Sequence, residues 1–240
     1  MVKFMQRYFA IEKKDNKFIL DNKDLHHIKN VMRMKDNEEI EVVFNEKLYR
    51  CSINYNNDID INIIDEIISE NSEDKLKISI IVPVLKEHKM DLILQKSTEL
   101  GVDEIIPIIT ERTLVKMNDK ETKKIERWKR ICKEASEQSM RLNVPNITNV
   151  KKISDLDNID GVKLVCSTQE GCISLKNFLQ TNRNCDKIVI VVGPEGGLSI
   201  NEEKKLNELG FISISLGNNI LRVETVPLTI ISMINYEYME

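Results

Sequence analysis

Two glycine-containing turns near the C-terminus carry the residues best suited to chemistry. The first is Gly193-Pro194-Glu195-Gly196-Gly197. The second runs Leu216-Gly217-Asn218-Asn219-Ile220-Leu221-Arg222-Val223-Glu224-Thr225. Each holds a carboxylate, and the second also holds an arginine. Glycines let a backbone approach a ligand closely, but Glu195 would repel a pyrophosphate. A cationic or zwitterionic ligand therefore suits these turns better than a polyphosphate. Neither G-x-x-x-x-G-K-[ST] nor G-x-G-x-x-G occurs, and the strand at Phe211–Leu216 ends in Leu216-Gly217 with no acidic residue to hold a ribose. Arg222 can offer fixed donors to an oxygen that gains negative charge, and Glu195 or Glu224 can accept a proton. Arg222 could instead serve a salt bridge to Glu224 or to another chain.

The elements that must position these turns follow from the pattern around them. Ile188–Val192 is a β-branched run of the kind found in fully buried strands. Ser199 begins a helix, and Glu202 completes a capping-box spacing. Strand, glycine turn and helix N-terminus together present bare backbone N–H groups. Thr225 is a candidate N-cap for an apolar C-terminal helix that tolerates Pro227 in its first turn. If the two preceding strands are parallel neighbours, both turns meet at one edge of a sheet. From Lys77 onward strands and helices alternate, which predicts an α/β parallel sheet. Its strands are Ile78–Leu85, Glu104–Thr110, Lys163–Ser167, Lys187–Val192 and Phe211–Leu216. Its helices include Lys89–Leu100, closed by Gly101, and a long one with Ile125, Trp128, Cys132 and Ala135 on one face. Upstream, Arg7–Ile11, Lys17–Leu20, Glu39–Phe44, Leu48–Asn54 and Ile59–Ile67 read as short strands of a small β-barrel around one helix capped by Asp21 or Asn22. The polar stretch at 69–74 breaks the pattern and sets the expected domains at 1–70 and 74–240.

GPEGGLSINE followed by LGNNILRVET resembles the RsmE family of ribosomal RNA methyltransferases, of the SPOUT class. Leu94–Val102 is similar to that family's LQKxTELGV, Glu134–Arg141 to its EAxEQSxR, and the segment from Asp24 to Met34 to its HHLxxVLRL. The motifs occur in order over nearly the whole chain. The resemblance implies a PUA-like RNA-binding β-barrel at the N-terminus and a C-terminal SPOUT-type parallel sheet with a trefoil knot. It implies S-adenosyl-L-methionine as donor and N3 of a uridine in 16S ribosomal RNA, in the assembled or assembling 30S subunit, as acceptor. It places the cofactor at Ser167, Gly193, Pro194, Glu195, Gly196, Leu216, Gly217, Ile220, Leu221 and Thr225. The catalytic candidates are then Arg222, Glu195 and Glu224, and the RNA contacts Arg7, His27, Arg33, Gln138 and Arg141. A homodimer is expected from the resemblance and from the apolar helix with Leu228, Ile230, Ile231, Met233 and Ile234. Some positions depart from the family. Met140 replaces a usual glycine, Val223 a threonine, Val226-Pro227 small residues, and Asn218-Asn219 a Pro/Arg-like pair. None removes a carboxylate or the arginine. The rival readings are an inactive or weakened SPOUT-like RNA-binding protein and another nucleotide-dependent α/β enzyme.

Composition sets the frame. Net charge is −4, which argues against a dominant nucleic-acid footprint. Yet up to Lys35 nine basic residues outnumber four acidic ones, enough for a local phosphate-binding face. Cys51, Cys132, Cys166, Cys172 and Cys185 make no C-x-x-C, and His26, His27 and His88 stand at no zinc spacing, so no metal is expected. Scattered cysteines fit a reducing compartment. No apolar run approaches the ~20 residues of a membrane span, and the first residues lack a signal-peptide h-region. A cytoplasmic protein is expected.

Overall fold

The computed structural model describes residues 5–56, 58–68, 76–115, 121–183 and 185–238. They fall into two compact units. One contains the described residues up to 68 together with Ser136–Val144. The other contains those from 76 to 135 and from 145 to 238.

The first unit is built on β1 (Arg7–Phe9), β2 (Glu12–Lys14), β3 (Lys17–Ile19), α1 (Asn22–His26), β4 (Glu39–Phe44), β5 (Lys47–Tyr55) and β6 (Ile59–Ile67). Its strands form one sheet in the order β1-β4-β5-β6-β3-β2. The edge strands β1 and β2 are joined only by Ala10 and Ile11, so the sheet has to curl until its edges approach. Alternation along β5 buries Tyr49, Cys51 and Ile53. They pack with Phe18, Ile28, Ile40, Val42 and Ile61, and the Phe18 and Tyr49 rings meet edge-on with centroids 4.9 Å apart. Asp21 caps α1 by accepting from the N–H groups of Lys23 and Asp24, both at 2.9 Å. The helix then loosens into a π-helical turn over His27–Val31.

The second unit contains β7 (Lys77–Pro83), α2 (Glu87–Glu99), β8 (Glu104–Ile109), most of α3 (Glu121–Gln138), β9 (Asn146–Ile147), β10 (Lys151–Lys152), β11 (Val162–Cys166), β12 (Ile173–Ser174), α4 (Leu175–Thr181), β13 (Lys187–Val191), α5 (Ile200–Glu208), β14 (Ile212–Ser215) and α6 (Thr225–Tyr238). All its strand pairs are parallel, in the order β10-β8-β7-β13-β11-β14-β12, with β9 beside β8. Ile188, Val189, Ile190 and Val191 are completely buried, as a central strand covered on both faces requires. The two strands before the glycine turns are not neighbours, contrary to the expectation from sequence. β11 lies between β13 and β14. Both turns still leave the same edge of the sheet, but they flank the loop that carries Ser167.

Three helices end in one hydrogen-bond pattern. After α2, the N–H of Gly101 donates to Thr98 O and that of Val102 to Ser97 O, both at 3.0 Å. After α5, Gly210 and Phe211 repeat it with Asn207 and Leu206. After α3, Met140 donates to Glu137 O at 3.4 Å and Arg141 to Ser136 O at 3.0 Å. This is the Schellman motif, whose C′ residue takes a left-handed backbone. Gly101 has φ +93° and Met140 has φ +58°, so a methionine occupies a position that favours glycine.

Candidate functional site

The β13–α5 loop is tightly held. The N–H of Gly197 donates to Pro194 O at 2.8 Å. Ser199 Oγ accepts from Glu202 N–H at 3.2 Å while Glu202 Oε2 accepts from Ser199 N–H at 2.8 Å, the reciprocal capping box that the sequence predicts. The other oxygen of Glu202 accepts from the N–H of Glu111 at 2.7 Å. Arg112, the next residue after Glu111, donates from Nη1 to Gly196 O at 2.5 Å and to Leu198 O at 3.4 Å. The turn after β8 is thereby laid over the glycine loop. A Cβ at Gly196 would stand 3.3 Å from Arg112 Cδ. What a side chain at 196 meets first is therefore an arginine of this chain, a constraint the sequence did not reveal.

Lys89, in the first turns of α2, joins the two candidate carboxylates. Its Nζ lies 2.8 Å from Glu195 Oε1 and 3.3 Å from Glu224 Oε2. The Glu224 oxygen is buried, and its contact with Lys89 is a longer one than that of Glu195. Glu224's own backbone N–H, helped by Lys89 and by the charge of Arg222, holds its carboxyl below the usual carboxylate range, against the opposing effect of desolvation. The bond to Glu195 raises the Lys89 ammonium above its usual value. The three side chains form one cluster, and Glu224, held below the usual carboxylate range, is a weak base at neutral pH. Arg222 is exposed. Its carbonyl accepts from Thr225 N–H at 2.8 Å and Val226 N–H at 3.2 Å, which closes the turn into α6. Its guanidinium makes no ion pair among the described residues, so the salt bridge to Glu224 is not formed.

The other expected cofactor residues are placed unevenly. Pro194 is buried, and Gly193, Leu216 and Leu221 are half-buried. Gly217 and Thr225 are exposed, Thr225 as the first residue of α6. Ile220 is 86% exposed, so in this chain alone it forms no wall. Ser167 is buried, and its hydroxyl donates to Glu203 at 3.1 Å while accepting from Gln169 N–H at 3.1 Å. It opens onto a cleft of about 400 Å³ lined also by Cys172, Ile200, Glu203 and Asn207, which contains none of the other expected cofactor residues. Val223 is buried at 5% exposure, which suits an apolar side chain where the resemblance has threonine.

Of the expected RNA contacts in the first unit, Arg33 and Gln138 are exposed. Arg7 is 8% exposed and gives Nε and Nη2 to Glu41 Oε2 at 2.9 and 2.7 Å. Its remaining nitrogen donates to the carbonyls of Met140 and Arg141. A guanidinium so committed is a staple between segments, and its donors are engaged within the chain. His27 is half-buried with Nδ1 2.9 Å from Tyr8 OH. Arg141 lies beyond the end of α3 and donates to Asn143 Oδ1 at 2.8 and 3.2 Å, so it does not continue the helical face of Glu134 and Gln138.

Comparison with known proteins decides the family. A model described as RNA methyltransferase domain matches residues 72–235, and one described as RNA methyltransferase PUA domain matches residues 20–64. Ribosomal RNA small subunit methyltransferase E of Bacillus subtilis (strain 168) is 34% identical over 97% of this chain and 97% of its own length. The chain belongs to the ribosomal RNA small subunit methyltransferase E family. The protein of that name from Mesomycoplasma hyopneumoniae is 34% identical over 95% of this chain and 98% of its own. A crystal structure of a ribosomal RNA small subunit methyltransferase E from Neisseria gonorrhoeae, bound to S-adenosyl methionine, superposes with a TM-score of 0.86 at 32% identity, covering 97% of this chain and 98% of that one. This likeness makes the mixed α/β architecture, a PUA-like first unit and a parallel-sheet second unit, that of the methyltransferase E family. Lys89 and Arg112 were missed in the sequence. Each is a cation placed shortly after a parallel strand, at the sheet edge where ligands of α/β folds sit, and that position is the signal that could have found them.

Proposed function

We propose that this chain methylates ribosomal RNA of the small subunit, with S-adenosylmethionine as donor and N3 of a uridine as acceptor. The observation that carries the reading is the grouping at one sheet edge of Lys89, Glu195 and Glu224 with an exposed Arg222 that makes no ion pair among the described residues. The bound donor supplies an electrophilic methyl on a positively charged sulfur. A zwitterion of that kind fits a loop pair bearing two carboxylates, one of which has a buried oxygen. Arg222 has free donors to meet uracil oxygens that become anionic as the N3 proton leaves. Lys89 and the backbone of Glu224 keep the nearby carboxylate ionised. Val223 and Pro227 are the two departures from the family's pattern that could hint at an inactive protein. Val223 is core, and Pro227 is buried in the first turn of α6, where its missing N–H is not needed.

We further assign the two glycine turns to the trefoil knot of the class, the loops 193–197 and 216–222 to the donor, and the protein to a cytoplasmic homodimer that works on the 30S particle. Light scattering should return twice the 27.8 kDa chain mass. Isothermal titration tests the donor. S-adenosylmethionine should bind in the presence of a chelator and ATP should not. Binding of ATP alone would overturn the reading.

A further inference from the structure

Lys89 stands between carboxylates that come from different loops, 2.8 Å from Glu195 and 3.3 Å from Glu224. Its side chain is only 22% exposed, and that of Glu224 16%. Water therefore screens the Lys89–Glu224 pair less than it screens an ordinary surface pair, while Glu195 is 36% exposed. Without Lys89 the two loops would present two negative charges side by side, with Arg222 as the cation close enough to act on Glu224.

We propose that Lys89 is a positioning residue that sets the charge of the donor site, and so decides how strongly the site prefers a cationic sulfonium over the neutral thioether product. The inference rests on the donor assignment above. In the transfer the S–CH3 bond breaks and its electron pair stays on sulfur. The methyl bonds to the acceptor nitrogen, whose proton leaves to solvent, and the sulfur loses its positive charge. A bare carboxylate that stabilises the sulfonium stabilises the reactant more than a transition state in which that charge is already dispersing. Such binding raises affinity and slows transfer. Lys89 acts through Glu195 and Glu224. It neutralises most of their pull while leaving them in place to shape the two loops.

The test is calorimetric titration of the full-length protein with S-adenosylmethionine and, separately, with S-adenosylhomocysteine. Wild type, Lys89→Met and Lys89→Arg are compared at low and high salt. Lys89→Met should raise the preference for the sulfonium about fivefold at low salt, and less at high salt. Lys89→Arg should keep the wild-type ratio. In steady-state assays Lys89→Met should lower kcat and the donor KM together. If Lys89→Met fails to fold, Glu195→Gln reads the same effect with opposite sign, as a smaller preference for the sulfonium. Weakening of both ligands by one factor, with the ratio unchanged, would make Lys89 a simple staple between loops and overturn the proposal. Failure of the wild type to bind either ligand would overturn the donor assignment instead.

Discussion

Among the described residues the Arg222 guanidinium makes no ion pair, while the carboxylates of Glu195 and Glu224 are joined to Lys89, so the available donor and the bound acceptors are divided between different side chains. An exposed arginine side chain in the turn before α6 contributes little to stability and is available to a substrate oxygen. Arg222→Ala should therefore lower the single-turnover methylation rate by about 10²–10³, while S-adenosylmethionine affinity stays within a few-fold. Arg222→Lys should recover only part, because an ammonium lacks the planar fork. If the alanine variant loses activity only because donor binding collapses, Arg222 belongs to the cofactor shell. The pairing of Glu224 has a consequence for its expected role as proton acceptor. A carboxylate held below its usual range is a poor base at neutral pH, which favours release of the N3 proton to solvent, with Arg222 stabilising the anion.

At the scale of elements, the α3 terminus makes the clearest prediction. Met140 occupies the left-handed C′ position that Gly101 and Gly210 fill after α2 and α5. Met140→Gly should stabilise the protein by about 0.5–1 kcal/mol, raising Tm by a few degrees, once the relief of strain is set against the extra freedom of glycine in the unfolded chain. A lower Tm would show that packing of the methionine outweighs its backbone strain. The glycine loop makes a second one. Gly196→Val should disturb the loop by pushing on Arg112, and Gly196→Val with Arg112→Ala should recover thermal stability. Recovery of donor affinity as well would mean that Arg112, and not close approach of a ligand, is the reason for a glycine there. Much of this was legible in the sequence. The β-branched run at 188–192, the Ser199–Glu202 spacing and the apolar face of α3 each carry a local period or cap, and the structure has all three. The rest depends on long-range partners. The strands β9, β10 and β12 have two residues each and show no period. The insertion of β11 between β13 and β14 is a matter of tertiary pairing. A lysine at 89 reads as a solvated helix charge until two distant loops arrive beside it, and the burial of Arg7 depends on Glu41 and on carbonyls more than 130 residues away.

For the whole molecule, the grouping of Ser136–Val144 with the first unit bears on how RNA affinity is to be tested. Removing residues 1–70 would strip the 140–141 carbonyls of Arg7, so point changes are the cleaner probe. Lys29, Arg33 and Lys35 are exposed in the early basic stretch of an otherwise acidic chain. Changing all three to Gln should weaken RNA binding at low salt and reduce the slope of log K against log salt by about 2, while leaving donor affinity unchanged. An unchanged slope would place the RNA elsewhere. The central claim is the identity of the product, and nucleoside mass spectrometry of small-subunit ribosomal RNA reads it directly. Small-subunit particles from cells lacking this gene are incubated with the purified protein and S-adenosylmethionine, and the RNA is digested to nucleosides. 3-Methyluridine should appear with the wild type, approach about one per particle, and form much more slowly with Arg222→Ala. No new methylated nucleoside, or a methyl group on a different atom or base, would contradict that claim.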